Sequence, residues 1–413
     1  MNKEYRMNIK GQTSIKRTLY YVTHLIVLLF LLAACGGTVT EEAGGAGTDP
    51  ATEEQSAAET NETDASVGEN ETDTSAEDVE ADANNTTDFP VTIDHTFGST
   101  TISEVPERVV TIGYSEQDPV LALGVVPVAI RDWFGDQPSA VWPWAQDQLG
   151  GAEPEVLQMD FGQLNFEVIA ALQPDLLIAT HSGITEEEYE TLSEIAPVVA
   201  QSGDYPDFGM PWQKQTRVIG QALGRAEQAE ELVAEVEARI DEARQANPVF
   251  ETSTVAWTFP ADDAGQLWVV GPNTLPVRFL QSLGLQYPDD VADFVGEQDS
   301  AQISGERLEL LDVDVLILQA STDAERDALE SNPLYNQLAV VQDGRTVFFV
   351  GQDDPLYGAL SFSTVLSLSF AIEELVPLWL MLRALLPNIG FRGILHSLGD
   401  ATKQRFISWE IQE

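Results

Sequence analysis

Residues 166–179 and 305–318 follow one plan. Aligned end to end they match Glu167 to Glu306, Leu172 to Leu311 and Asp175 to Asp314. Each reads as a helix, a tight turn and a buried strand. Between them, over 226–246, Ala229, Leu232, Val233, Val236, Ile240 and Ala243 recur at three- and four-residue steps. That spacing predicts one helix of about 32 Å, and Pro248 ends it. A unit repeated on either side of one rod restricts the chain to two similar lobes joined by a single long helix. Short β-branched runs at 109–112, 125–130, 176–179, 254–257, 315–318 and 347–350 alternate with helical periodicity. This is the pattern of parallel strands with crossover helices. The predicted fold is therefore α/β: two Rossmann-like lobes, 91–225 and 248–380, joined by a connecting helix at 226–247. Ligands of open α/β sheets sit outside the carboxyl ends of the strands, so facing lobes place a ligand cleft between them.

Charge removes one class of function. The 413 residues carry 68 Asp and Glu against 20 Lys and Arg, a net −48, and such a surface repels a polyanion, so a nucleic-acid partner is excluded. Cys35 is the only cysteine, which forbids an internal disulfide, and His24, His95, His181 and His396 show no metal-ligand spacing. The chain has no Gly-x-Ser-x-Gly elbow and no Gly-Lys-Ser/Thr phosphate loop. His181 and Ser182 are adjacent in sequence, which seldom orients a catalytic pair. An enzyme is not expected, and no direct metal site or cofactor is.

The ends differ from the body. Lys3, Arg6, Lys10, Lys16 and Arg17 precede an apolar run over 19–32, followed by Ala33, Ala34, Cys35 and Gly36. A basic head, a short apolar stretch and small residues form an export signal. Its end resembles the lipobox of bacterial lipoproteins, which implies a signal peptide at 1–35 and a lipid anchor on Cys35. Over 36–90 there are 16 acidic residues and no basic ones among Gly, Ala, Ser, Thr and Asn. Such a segment buries too little apolar surface to order itself. It reads as a tether with a span of roughly 40 Å. The segment 381–413 loses the acidic bias and reads as an atypical tail, from an altered reading frame or an appended piece, with an authentic extension as the alternative.

From about Phe97 to about Pro377 the residues resemble the iron-complex substrate-binding proteins of ABC importers, the two-lobed class with a single backbone helix. The resemblance rests on Glu107-Arg-Val-Val-Thr-Ile-Gly, Ala122-Leu-Gly-Val-Val-Pro-Val, Leu164-Asn-Phe-Glu-Val-Ile-Ala-Ala-Leu-Gln-Pro-Asp, Thr216-Arg-Val-Ile-Gly-Gln-Ala-Leu-Gly and Arg278-Phe-Leu-Gln-Ser-Leu-Gly. The stretch 132–147, with its tryptophans, looks most like the siderophore branch. The resemblance implies a monomeric, lipid-anchored extracytoplasmic protein that captures a ferric siderophore and delivers it to an ABC permease in the cytoplasmic membrane. It also implies that Glu167 and Glu306, one per lobe, meet arginines of the permease. An acid in a first helical turn is equally favoured by the helix dipole alone. A cobalamin or haem carrier of the same fold is the alternative ligand class, and a surface-anchored enzyme or adhesin the alternative of another kind.

Candidate ligand contacts follow from residue type and place. Trp133, Trp142 and Trp144 crowd one Pro-, Gly- and Asp-rich loop after a strand, where aromatic faces suit a bulky ligand; packing of the loop itself is the competing role. Tyr114, Trp257 and Tyr357 stand near strand ends or late loops, as does Phe259. Between residues 91 and 380 there are 48 acidic and 11 basic residues, a net −37, with Lys214 the only lysine. In so acidic a body Arg131 and Arg278 are expected either to form ion pairs or to hold an anionic chelate by reversing the field locally.

Overall fold

The computed structural model describes residues 88–160, 162–261 and 266–384. The expected signal peptide, Cys35, the tether up to residue 87 and the tail from 385 onward lie outside the described residues. Two five-stranded sheets organise the body. In the first, β3 (Val109–Thr111), β4 (Ala129–Arg131), β5 (Glu155–Leu157), β6 (Leu176–Ala179) and β7 (Val198–Ala200) lie in the order β5-β4-β3-β6-β7, all parallel. In the second, β8 (Val255–Pro260), β9 (Leu267–Val270), β10 (Ser300–Ile303), β11 (Val315–Ala320) and β12 (Thr346–Val350) lie in the order β10-β9-β8-β11-β12. A short antiparallel hairpin, β1 (Val91–His95) and β2 (Gly98–Ile102), precedes the first sheet. Its Val91, Ile93 and Ile102 join one core of that lobe.

Each sheet is buried on both faces, as parallel strands require. Along β6, Leu176 and Ile178 enter one apolar cluster while Leu177 and Ala179 enter another. Along β11, Val315 and Ile317 face one cluster and Leu316 and Leu318 the opposite one. The long helix occupies Ala226–Ala246, as its periodicity predicts. Ala229 packs into the core of the first lobe, whereas Val233, Val236, Ile240 and Ala243 pack into the core of the second. The final helix, Ser367–Ala384, packs against the same apolar cluster and continues through Leu380. Among the described residues no helix is long and apolar enough to cross a membrane.

The repeat has a mechanical meaning. Asp175 accepts the backbone N–H groups of Glu107 and Arg108, each at 2.8 Å, just ahead of β3. Asp314 accepts the N–H of Thr254 at 2.8 Å and its hydroxyl at 3.0 Å, just ahead of β8. One carboxylate after each helix thus pins the start of the neighbouring strand, satisfying N–H groups that would otherwise compete for water.

Two expectations change. The second sheet is mixed, since β9 runs antiparallel to both β8 and β10. The connection from Pro260 to Leu267 is too short for a crossover helix, so the chain returns as a hairpin. The second repeat also opens with a 3-10 helix, Gly305–Leu311, where the first has an α-helix, Phe166–Ala171. In the α-helix Asn165 caps the Val168 N–H through its side chain; Ser304 makes no such cap.

Candidate functional site

Because β3, β4, β6 and β7 are parallel, the loops that follow them emerge on one edge of the first sheet. They carry Tyr114, Trp133, His181 and the segment 205–209. Facing them, the second lobe supplies 273–276 and Arg278 at the start of helix Leu275–Ser282, Ser361 from helix Pro355–Phe362, and strand residues Trp257, Phe259 and Gln319. Two adjoining cavities of about 530 and 430 Å³ lie between these sets and share Trp133, Thr274, Pro276 and Ser361. Their volumes are of the size that takes a small chelate.

The walls are aromatic. Trp133 lies 5.6 Å from Tyr114, 4.7 Å from Phe134 and 5.2 Å from Phe362, centroid to centroid. His181 meets Phe208 edge-on at 5.2 Å, and Phe208 keeps 37% of its surface exposed. Burial pushes the His181 imidazole down to about 4, so near neutrality it is an uncharged ring and not a cation.

Beneath this wall lies a fixed polar layer. Glu116 is fully buried, and its carboxylate accepts the N–H of His181 at 2.6 Å and of Ser115 at 3.1 Å. It ties the loop after β3 to the loop after β6. Gly113 leaves the space that this carboxylate fills, since a Cβ there would collide with Glu116. Desolvation raises Glu116 to about 7, against the pull of those N–H donors and of Arg131.

The expected contacts divide. Tyr114, Trp133 and Arg278 line the larger cavity, and Trp133, Trp257 and Tyr357 line the smaller one together with Phe259. Burial raises the Tyr357 hydroxyl. Trp142, Trp144 and Arg131 line neither cavity. Trp142 is 1% exposed, stacks on Trp144 at 5.1 Å, and packs against Gly135 and Gly358, which have no side chains to obstruct it. Trp144 donates its indole N–H to Asp118 at 2.8 Å. These two rings wedge one lobe against the other, so the packing role is the one the structure assigns them.

Arg131 is also 1% exposed. Its guanidinium donates to the carbonyls of Ile112, Asp160 and Gln163 at 3.2, 2.7 and 3.1 Å and lies 4.4 Å from the Tyr114 ring. It fixes that ring from below; its Nε–H is buried without a hydrogen-bond partner among the described residues, and the side chain lines neither cavity. Arg278 does reach the cleft, where it donates to the Gly209 carbonyl of the opposite lobe at 2.8 Å. Three rim carboxylates, Asp207, Glu297 and Asp299, line the same cavity.

Sequence reasoning missed Phe134, Phe208, Gln319 and Ser361. The stretch Tyr205-Pro-Asp-Phe-Gly209 carried a usable signal, an aromatic Pro/Gly loop directly after a strand, the rule that singled out Trp133. Gln319 and Ser361 carried none.

Glu167 and Glu306 are both exposed, each in the first turn of its helix. A surface recess adjoins each region: one of about 560 Å³ runs from Gln158 to Glu167, and one of about 490 Å³ is lined by Asp290, Phe294 and Arg307. Neither belongs to the cleft. Among the described residues no three His, Cys, Asp or Glu side chains gather as a metal-holding group.

The sequence profile of the periplasmic binding protein family matches residues 109–351, which span both sheets and the helix between them. The chain belongs to the periplasmic binding protein family. This periplasmic binding protein is 25% identical over 253 residues to the probable siderophore-binding lipoprotein YfiY of Bacillus subtilis, covering 60% of this chain and 73% of that one. It is also 25% identical over 282 residues to the ferric enterobactin-binding periplasmic protein FepB of Escherichia coli O6:H1, covering 64% and 85% respectively. Among solved structures, a periplasmic solute binding protein from Mycobacterium smegmatis superposes with a TM-score of 0.63 at 39% identity, over 71% of this chain and 98% of that one. PiaA of Streptococcus pneumoniae, solved in complex with ferrichrome, superposes at 0.60 with 29% identity, over 71% and 98%.

Proposed function

We propose that this periplasmic binding protein captures a ferric siderophore in its interlobe cleft and presents it to an ABC permease for iron uptake. The observation that carries this reading is the cleft itself. Both lobes contribute rings and hydroxyls, and the second adds amides, groups that recognise the outer surface of a chelate in which iron is already fully coordinated. Relatives that bind siderophores or ferric citrate support it. Export and anchoring through Cys35 put the protein outside the cytoplasmic membrane, with the acidic segment as its tether.

Delivery would use Glu167 and Glu306. Two exposed carboxylates, one on each lobe, let a partner with paired cations register how the lobes are spaced. The ligand contacts in this reading are Tyr114, Trp133, Arg278, Trp257 and Tyr357. Recognition requires no covalent step, so turnover of the chelate is not expected.

Titration of the purified protein with a panel of ferric siderophores, followed by tryptophan emission, tests the capture step. Saturable quenching by at least one member at micromolar concentration or below is expected, since Trp133 and Trp257 border the cavities. Emission unchanged across the panel would overturn the reading.

A further inference from the structure

We propose that the cleft selects a neutral or cationic ferric chelate of the trishydroxamate kind and disfavours trianionic triscatecholates. The inference rests on the siderophore reading above and assigns the ligand's charge class.

Cations are scarce in the cleft. Among the described residues lining the two cavities, Arg278 is the only one. Its Nη2 already spans the lobes to the Gly209 carbonyl, so part of its donor fork is committed to holding the cleft. Arg131, the other arginine near the site, is enclosed by three carbonyls beneath the Tyr114 ring. His181 sits uncharged in the wall.

Against that one guanidinium stand Asp207, Glu297 and Asp299, all exposed at the cleft mouth and none within ion-pair distance of a described cation. The lining thus has an acidic excess, set in a body already at −37 between residues 91 and 380. An entering trianion meets like charge at the mouth and over the whole approach, which lowers both its capture rate and its affinity. On this proposal the arginines do not reverse the field locally, and Arg278 alone faces the acidic rim.

Ligand chemistry fits the remainder. Three hydroxamates each give up one proton, so their complex with Fe(III) is neutral, whereas three doubly ionised catecholates leave it trianionic. A neutral complex exposes apolar surface and weakly basic oxygens. Trp133, Phe208 and Tyr357 suit the former, and the amides of Gln319 and Gln352 with the Ser361 hydroxyl can donate to the latter.

Calorimetric titration of the full chain with ferrichrome (neutral), ferric desferrioxamine B (a monocation) and ferric enterobactin (a trianion) decides the matter. At low salt, ferrichrome or the monocation should bind at least about tenfold more tightly than the trianion. The gap should shrink as salt screens the rim. Replacing all three acids, Asp207→Asn, Glu297→Gln and Asp299→Asn, should bring the trianion to within about threefold of ferrichrome. A trianion that binds wild type as well as the others, or a gap indifferent to the triple replacement, would overturn the charge assignment while leaving siderophore capture standing. If none of the three chelates binds, the charge assignment fails, and the wider siderophore panel decides whether capture fails with it.

Discussion

The hydroxyl of Thr364, in the second lobe, donates to the carboxylate of Asp118, in the first, at the oxygen that also accepts the Trp144 indole N–H. Both residues are buried, Asp118 to 0% and Thr364 to 1% exposure. This carboxylate is therefore a bolt between lobes, and its charge is a cost carried inside the interface.

Desolvation raises Asp118 to about 6, against the pull of Thr364 and Trp144. A carboxyl whose pKa is higher folded than unfolded stabilises the fold fully below its unfolded value, and this contribution is lost as pH rises through the folded one. Ionisation should cost on the order of 3 kcal/mol between pH 4 and 7. Asp118→Asn removes that dependence. Measured by thermal unfolding, the variant should gain on wild type steadily from pH 4 to pH 7; a difference flat across that interval would refute the assignment.

Gly358 lies inside helix Pro355–Phe362, where alanine would ordinarily add up to about 1 kcal/mol. Here a Cβ would stand 2.7 Å from the buried Trp142 ring. Overpacking of a rigid aromatic costs about 1–3 kcal/mol, so the sign reverses. Gly358→Ala should lower the denaturant midpoint, and a combined Gly358→Ala, Trp142→Leu variant should lose less than the two single changes summed.

Arg131→Met should cost about 2 kcal/mol, because three carbonyls, one of them fully buried, lose a charged donor. Arg131→Lys should recover little, since one ammonium cannot reproduce the fork that reaches Ile112, Asp160 and Gln163. Unfolding curves for the pair provide the check; wild-type stability in Arg131→Lys would contradict the cage.

Glu167→Lys with Glu306→Lys should abolish uptake of the ferric chelate by cells while leaving its affinity for the purified protein unchanged. Both side chains are solvent-exposed and line neither interlobe cavity, so stability should fall only by the lost helix-dipole contribution, about 0.3–1 kcal/mol at each site. Normal uptake would dismiss them as docking residues.

Local pattern made part of this legible. The long helix and β6 announce themselves because their burial signals are continuous over their own length. β9 and β10 do not, since their pairing depends on a hairpin return that no residue of β8 encodes. The site followed the same division. Trp133 was readable as a cleft residue from its loop after a strand. Arg131 was not, because the carbonyls of Asp160 and Gln163 that enclose it come from a loop some thirty positions away. Trp142 likewise depends on Gly358, far along the chain. Solvent-facing and buried roles of one residue type separate only when distant partners are known.

The helix Ala226–Ala246 is an apolar stripe shared between two cores, with Ala229 given to one and Val233 through Ala243 to the other. A first lobe severed with this helix would leave Val233, Val236, Ile240 and Ala243 facing water. The whole body should therefore melt in a single calorimetric transition, and the first lobe should not be recoverable as an independently folding fragment.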